Sequence, residues 1–129
     1  MDTNNPVISL CIAGTEAEFQ GRAQQACALY QQAWTLAQDD YEACIAAHYV
    51  ARCQTDPRTK LRWNQLALDK AQAAADDRVE AFYPSLFLNM GQSYALLGDA
   101  DEAQRYYDLA AAMGFPHQME LKGEKLVVF

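Results

Sequence analysis

The sequence predicts an all-α fold in a single domain, made of three antiparallel helix pairs. The 129 residues include 23 Ala, 13 Leu and 12 Gln against 13 β-branched residues, and this balance favours helices over strands. With only 6 Gly and 4 Pro, few positions interrupt a helix. A pattern of small and aromatic residues also recurs along the chain, which is typical of repeated helical units.

The repeat is clearest between the first and last thirds of the chain. The first third contains Gly21, Ala26, Tyr30 and Ala33. The last third repeats these residue types with the same spacing, as Gly98, Ala103, Tyr107 and Ala110. A weaker middle copy contains Asn64, Leu68 and Ala71. The closing alanines Ala33, Ala71 and Ala110 are therefore separated by 38 and then 39 residues. This spacing predicts three successive units of one supersecondary structure.

Capping residues and helix breakers divide the chain into six predicted helices, at about 7–19, 23–38, 41–53, 59–75, 86–97 and 100–113. Pro57 prevents the third helix from continuing, and Asp56 or Thr59 is the expected N-cap of the fourth. The fifth helix has an alternative start near Asp77, with Pro84 as a kink or a restart. Eight of the 17 acidic residues fall at these junctions or in first turns, where carboxylates cap free amides and complement the helix dipole: Asp39, Asp40, Asp56, Asp76, Asp77, Asp99, Asp101 and Glu102.

Small residues at the predicted crossings allow the two helices of a pair to pack closely. The small residues are Gly14 and Ala26 in the first pair, Ala47 in the middle pair, and Gly91 and Ala103 in the last pair. The space between successive pairs is filled by Tyr30, Leu68 and Tyr107. The alternation of small and large residues predicts stacking and indicates no catalytic function.

Composition and charge exclude several functional classes. A hydrophobic fraction of 51% excludes a disordered chain, and the net charge of -7 without any Lys or Arg cluster argues against binding to nucleic acid or to an anionic membrane. The polar N-terminus has no basic region, and the apolar run at 7–13 is too short for a signal sequence or a membrane span. We therefore expect a cytoplasmic protein.

The cysteines fit the same expectation. They are scattered, contain no CxxC motif, and lie in helical patterns beside apolar residues, at Cys11, Cys27, Cys44 and Cys53. We predict four free, mostly buried thiols.

The last repeat resembles the tetratricopeptide repeat (TPR) family, on Phe87, Met90, Gly91, Tyr94, Leu97, Gly98, Ala103, Tyr107 and Ala110. The first unit resembles the second half of the motif well. The middle unit departs by a longer internal loop and by His48 where Gly or Ala is usual. The resemblance implies a short, bacterial-type, three-repeat α-solenoid with repeats at about 7–40, 41–75 and 77–116 and a short non-helical tail at 117–129.

The resemblance further implies that the first helices of the repeats line a concave groove that binds a peptide or helix of another protein. The implied groove residues are Thr15, Glu18, Ile45, Tyr49, Arg52, Ser85, Leu88, Asn89 and Gln92, with Cys11 and Glu42 beside them. One subfamily grips acidic tails with Lys, Arg and Asn. The matching positions here are Cys11, Thr15, Ala46, Ser85 and Asn89, so that clamp is absent.

We therefore expect a non-catalytic protein-interaction module or scaffold without cofactor or metal. Ile45 and Leu88 would supply apolar contacts, and Arg52, Asn89 and Gln92 polar ones. Arg52 has two alternatives: a salt bridge to an acid of the same chain, such as Glu18 or a carboxylate on the side of Glu42, or the carboxylate of a ligand. The alternative function is homo-oligomerisation through the uncapped last repeat and the tail, because 125–129 favours a strand and is expected to fold back over the sixth helix or enter a groove.

Cys44 and His48 are the one pair that suggests chemistry. At a spacing of four they share a helix face and would supply two ligands of a zinc site or a Cys–His nucleophile pair. No second ligand pair or acidic partner accompanies them, so we predict a buried histidine that is hydrogen-bonded near Trp63 or Asn64.

Overall fold

The structure is a computed structural model that describes residues 3–113, all helical apart from short connections. Within that range there are seven α-helices: α1 Pro6–Phe19, α2 Ala23–Leu36, α3 Asp40–Cys53, α4 Pro57–Ala74, α5 Asp77–Glu80, α6 Tyr83–Leu96 and α7 Ala100–Ala112. The all-α prediction is confirmed. The described part has one helix more than predicted, because the short α5 precedes α6.

The helices pack in the order in which they occur along the chain. α1 pairs with α2, α3 with α4, and α6 with α7, and each pair contacts the next through α2 with α3 and α4 with α6. α1 also contacts α3. The prediction of three antiparallel pairs is therefore confirmed.

Acidic and amide side chains cap the helices as the sequence indicates. Asp39, Asp56, Asp76 and Asp99 accept hydrogen bonds from backbone amides in the first turns of α3, α4, α5 and α7. Asp56 is thus the N-cap of α4, and Pro57 occupies the first turn, where its missing N–H costs nothing. This is why α4 begins two residues before the predicted start.

The segment before α6 restarts rather than kinks. α5 ends at Glu80, and α6 begins at Tyr83 with Pro84 in its first turn. Because a proline is tolerated only in the first turn of a helix, Pro84 fixes this second start.

The first and last pairs contain the same close contact, 77 residues apart. A Cβ atom added to Gly14 would collide with the ring of Tyr30, and one added to Gly91 would collide with the ring of Tyr107. The turns also match, since Gly21 and Gly98 have φ values of +77° and +82°. Gly14 and Gly91 thus lie at the helix crossings as predicted, but the rings of Tyr30 and Tyr107, predicted to fill the space between successive pairs, pack on them within their own pairs.

The core is continuous through the described helices, with α3 at its centre. In α3, Cys44, Ile45, Ala46 and Ala47 are all 0% exposed. Stacked rings extend the core between pairs, with Tyr30 and Tyr49 centroids 5.2 Å apart.

One prediction about the cysteines is wrong. Cys27 on α2 and Cys53 on α3 form a disulfide, while Cys11 and Cys44 are free and buried as predicted. The half-cystines lie on different helices, 26 residues apart, and only the packing of α2 on α3 brings them together.

Within residues 3–113, no helix has the length and apolar character needed to cross a membrane. The predicted tail at 117–129, with its strand-favouring end, lies outside the described residues.

Candidate functional site

A cavity of about 210 Å³ opens where the middle helix pair meets α6. We name it the α3–α4–α6 cavity. Its lining is mostly polar and consists of His48, Ala51 and Arg52 from α3, Lys60 and Asn64 from α4, and Asn89, Gln92, Ser93 and Leu96 from α6. Three helices from two consecutive pairs are therefore needed to form it.

A chain of hydrogen bonds holds the inner wall of the cavity in place. The Asn64 amide donates to Ser93 Oγ over 2.8 Å, and Ser93 Oγ donates to the backbone carbonyl of Asn89 over 2.9 Å. The Asn89 amide nitrogen lies 3.2 Å from His48 Nδ1. Because Asn64 and Ser93 are 5% and 0% exposed, these bonds satisfy polar groups that would be costly to bury alone.

His48 is an uncharged member of this wall. Burial, and then the nearby Arg52 guanidinium, lower the pKa of His48 to about 3. The ring is therefore neutral near pH 7. With the Asn89 amide as the donor, Nδ1 is the acceptor and Nε2 carries the proton.

Arg52 forms the rim of the cavity through a two-point ion pair with α1. Its Nε and Nη2 donate to the two carboxylate oxygens of Glu18 over 3.1 and 3.2 Å. Tyr30 donates a short hydrogen bond to the same carboxylate. Burial opposes ionisation of Glu18, but the hydrogen bonds from Arg52 and Tyr30 outweigh it and lower the pKa of this carboxyl. The salt bridge to Glu18, one of the two alternatives for Arg52, is thus present.

Lys60 supplies the second positive charge of the cavity. It lies one turn before Asn64 on α4, and within residues 3–113 its ammonium takes part in no ion pair or hydrogen bond. The positive charge of Lys60 also acts on Glu18, because it contributes to the lowered pKa of that carboxyl.

The groove residues implied by the family resemblance lie in three different settings. Arg52, Asn89 and Gln92 line the cavity together. Glu18 contacts the lining residue Arg52, and the Tyr49 ring contacts that of His48. The Thr15 hydroxyl lies 3.4 Å from the Tyr30 hydroxyl, which is not part of the lining. Ser85 and Leu88 are half-buried on α6, outside the lining of the cavity.

Two of the apolar and small residues named for the groove belong to the core. Ile45 is 0% exposed and Cys11 is 2% exposed, so the structure leaves neither available to a ligand. The physical reason is that α3 lies at the centre of the molecule, where α1, α2 and α4 all pack against it. The Glu42 carboxylate accepts hydrogen bonds from Asn5 and from the backbone amide of Gln38.

The sequence prediction omitted Lys60, Asn64 and Ser93 from the site. It placed binding residues only on the first helix of each pair, whereas α4 is a second helix. Their spacing carried a signal, because Lys60 and Asn64 are four residues apart and share one helix face. Only the packing of α4 on α6 shows that this face meets Ser93.

Cys44 and His48 do not form a reactive pair. Burial raises the pKa of the Cys44 thiol to about 12, so the thiolate that a nucleophile or a zinc ligand requires is suppressed. In the part of the chain that the structure describes, no three His, Cys, Asp or Glu side chains are grouped so as to hold a metal ion. His48 is hydrogen-bonded to Asn89 and lines the same cavity as Asn64.

Comparisons with models of protein families, with curated proteins and with solved structures found no match to this chain.

Proposed function

We propose that this chain is a TPR-like, non-catalytic interaction module that binds a short segment of another protein at the α3–α4–α6 cavity. The observation that carries the proposal is that one cavity collects Arg52, Asn89 and Gln92, three residues that the family resemblance assigns to the partner-binding groove. A single site thus unites polar groups from consecutive helix pairs.

The TPR-like arrangement is part of the proposal, and two features support it: the repeated Gly–Tyr contact and the order in which the helix pairs pack. The Gly14–Tyr30 and Gly91–Tyr107 contacts are equivalent and 77 residues apart, which is the distance spanned by two repeats of 38 and 39 residues. Helix pairs that follow one another in chain order support an α-solenoid, because solenoid units contact only their neighbours.

The size of the cavity favours a segment of a larger partner over a whole small-molecule ligand. Its volume of about 210 Å³ is below the range of roughly 300–1,000 Å³ usual for small-molecule sites. One side chain and the adjoining peptide groups would fill it. The exposed Gln92 amide, which both donates and accepts, suits a peptide backbone.

The reactive groups near the cavity support a binding function rather than catalysis. His48 is neutral, enclosed and hydrogen-bonded, and the pKa of Cys44 is raised to about 12. Neither group is poised to exchange a proton near neutral pH.

A peptide selection tests the proposal. We would select binders from a random peptide display library with the purified chain, and measure their affinity for Gln92→Ala and, as the control, Gln72→Ala. Both glutamines are exposed, but Gln72 lies on α4 outside the cavity. We expect Gln92→Ala to weaken binding about five- to tenfold, the effect of losing one or two hydrogen bonds, and Gln72→Ala to leave it unchanged. Equal affinities of the two variants for every selected peptide would contradict the proposal.

Self-association is a second candidate, supported by exposed apolar side chains on the last pair. Leu96 and Met113 are 61% and 44% exposed. Sedimentation velocity would detect a dimer, and Leu96→Gln should dissociate it whereas Phe19→Gln, at an 87% exposed position of the first pair, should not. A monomer at all concentrations excludes this function for the chain.

A cytoplasmic location stays a prediction. The Cys27–Cys53 disulfide removes the argument from free thiols and favours an oxidising compartment. Trapping of free thiols at the moment of cell lysis, followed by mass spectrometry, distinguishes the two.

A further inference from the structure

We propose that the α3–α4–α6 cavity takes a carboxylate group carried by the bound segment, with Lys60 as its ion-pair partner. This inference rests on the proposed function for the source of the carboxylate. Lys60 lies on the second helix of the middle pair, outside the first-helix positions of the acidic-tail clamp, so the family resemblance does not imply it.

The charges around the cavity do not balance one another. Arg52 and Glu18 neutralise each other through their two-point ion pair, and His48 is uncharged. Among residues 3–113, no Asp or Glu lines the cavity. Lys60 therefore leaves an excess of one positive charge at the cavity, in a chain whose net charge is -7. One unbalanced positive charge attracts a carboxylate.

A carboxylate also complements the hydrogen-bonding groups at the cavity. The Lys60 ammonium has three N–H donors and no acceptor. Arg52 uses Nε and Nη2 for Glu18, so the N–H groups of Nη1 face no carboxylate of the described chain. The Gln92 amide adds two further donors. A carboxylate, which accepts up to about four hydrogen bonds, complements this set better than an amide, which brings donors of its own.

The inner wall of the cavity is held in place before a ligand binds. Asn64, Ser93, Asn89 and His48 are hydrogen-bonded to one another, so binding does not have to order them. Side chains fixed before binding cost less entropy when the ligand arrives. The charged groups at the opening then determine which ligands enter.

The test is a titration followed by the backbone and side-chain amide NMR signals of Asn64, Asn89 and Gln92. The probes are the blocked peptide acetyl-Ala-Ala-Glu-Ala-Ala-amide, the same peptide with Gln in place of Glu, and free N-acetylglutamate. We expect saturable shifts with the Glu peptide, and binding at least fivefold weaker for the Gln peptide. Lys60→Gln should weaken binding of the Glu peptide at least fivefold. The control Arg62→Gln, an exposed position on α4 outside the cavity, should not.

Three results would overturn the inference: no shift with the Glu peptide at millimolar concentration, equal shifts with the Gln peptide, or equal binding by Lys60→Gln. N-acetylglutamate that binds more tightly than the Glu peptide would identify a free acid as the source and overturn the assignment to a protein segment. Selected peptides that lack any carboxylate and still lose affinity with Gln92→Ala would leave the proposed function standing and remove this inference alone.

Discussion

The ring of Tyr107 packs directly on Gly91, at the crossing of α6 and α7. The same contact joins Tyr30 to Gly14 in the first pair. In each pair the glycine lets the partner helix approach to within the thickness of an aromatic ring. The aromatic residue and the glycine therefore depend on each other, and a methyl group at either glycine has to displace the ring.

Gly91→Ala is expected to destabilise the chain. The added methyl group displaces the Tyr107 ring, and overpacking of this kind costs roughly 1–3 kcal/mol, of which better helix propensity returns about 1 kcal/mol. Thermal or urea unfolding should show a net loss of up to about 2 kcal/mol. The exposed neighbour Gln92→Ala serves as the control and should change stability by less than about 0.5 kcal/mol.

A double variant identifies the cause. In the Gly91→Ala background, replacement of Tyr107 by Leu should cost less than it does in the wild type, since the collision is already relieved. Strictly additive losses would show that the two residues do not interact as described.

Some features of this fold could be predicted from the sequence, and others could not. The caps and the small residues at the helix crossings depend on residues close to one another along the chain, so the Asp, Gly and Ala positions were sufficient. Asp56 and Pro84 are examples, since both act on the helix in which they occur or which they precede. The Gly–Tyr contacts were not predicted, because Tyr30 and Tyr107 were assigned to the space between successive pairs.

The remaining features depend on how separate helices are oriented. Cys27 and Cys53 belong to different repeats, and no local spacing pairs them. Lys60 enters the site only because α4 turns one face towards α6. Ile45 was assigned to the groove from its repeat position, but it is 0% exposed in α3, the helix against which α1, α2 and α4 pack.

His48 gives stability a dependence on pH below neutrality. Its pKa is about 3 in the folded chain, because of burial and Arg52, against 6.5 for an ordinary histidine. Between these values the unfolded chain binds a proton that the folded chain does not, so stability falls as the pH falls from about 6.5 towards 3. The loss approaches about 1.4 kcal/mol per pH unit.

His48→Gln should remove this part of the slope. Urea unfolding of the wild type and the variant between pH 7 and pH 5 measures the difference. A wild-type slope no steeper than that of the variant would mean that His48 takes up a proton in the folded state.

Glu18 adds a second, more acidic dependence. Burial raises the pKa of this carboxyl, but the hydrogen bonds from Arg52 and Tyr30 lower it by more than burial raises it. The pKa of Glu18 in the folded chain is therefore below the ordinary value of 4.5. Ionised Glu18 therefore stabilises the folded chain when the pH is above the ordinary pKa of a glutamate. This stabilisation is lost as the pH falls through the lowered pKa that Glu18 has in the folded chain. Glu18→Gln should make unfolding less sensitive to pH below about 4.5, a change that the same urea experiments extended to pH 3 would detect.

The disulfide makes the stability of the first two pairs sensitive to reductant. It closes a loop of 26 residues between α2 and α3, and loss of such a bond costs about 2–4 kcal/mol. Dithiothreitol should lower the melting temperature of the wild type. The Cys27→Ser/Cys53→Ser variant should melt at the lower temperature with or without reductant.

Thiol counting gives an independent check of the same bond. The unreduced, denatured chain should show two reactive thiols, from Cys11 and Cys44. The native chain should react slowly, because burial raises the pKa of both thiols to about 12. Four thiols in the unreduced chain would contradict the Cys27–Cys53 bond.

The most direct test of the account is to locate a bound segment on the molecule. A selected peptide that carries a benzophenone side chain would be irradiated in complex with the chain, and the crosslinked residues identified by mass spectrometry. If the segment binds at the α3–α4–α6 cavity, we expect crosslinks to α3, α4 and α6 around Arg52, Asn89 and Leu96. These crosslinks should disappear when unlabelled peptide competes. Crosslinks confined to the outer face of α2 or to α7 would contradict the account.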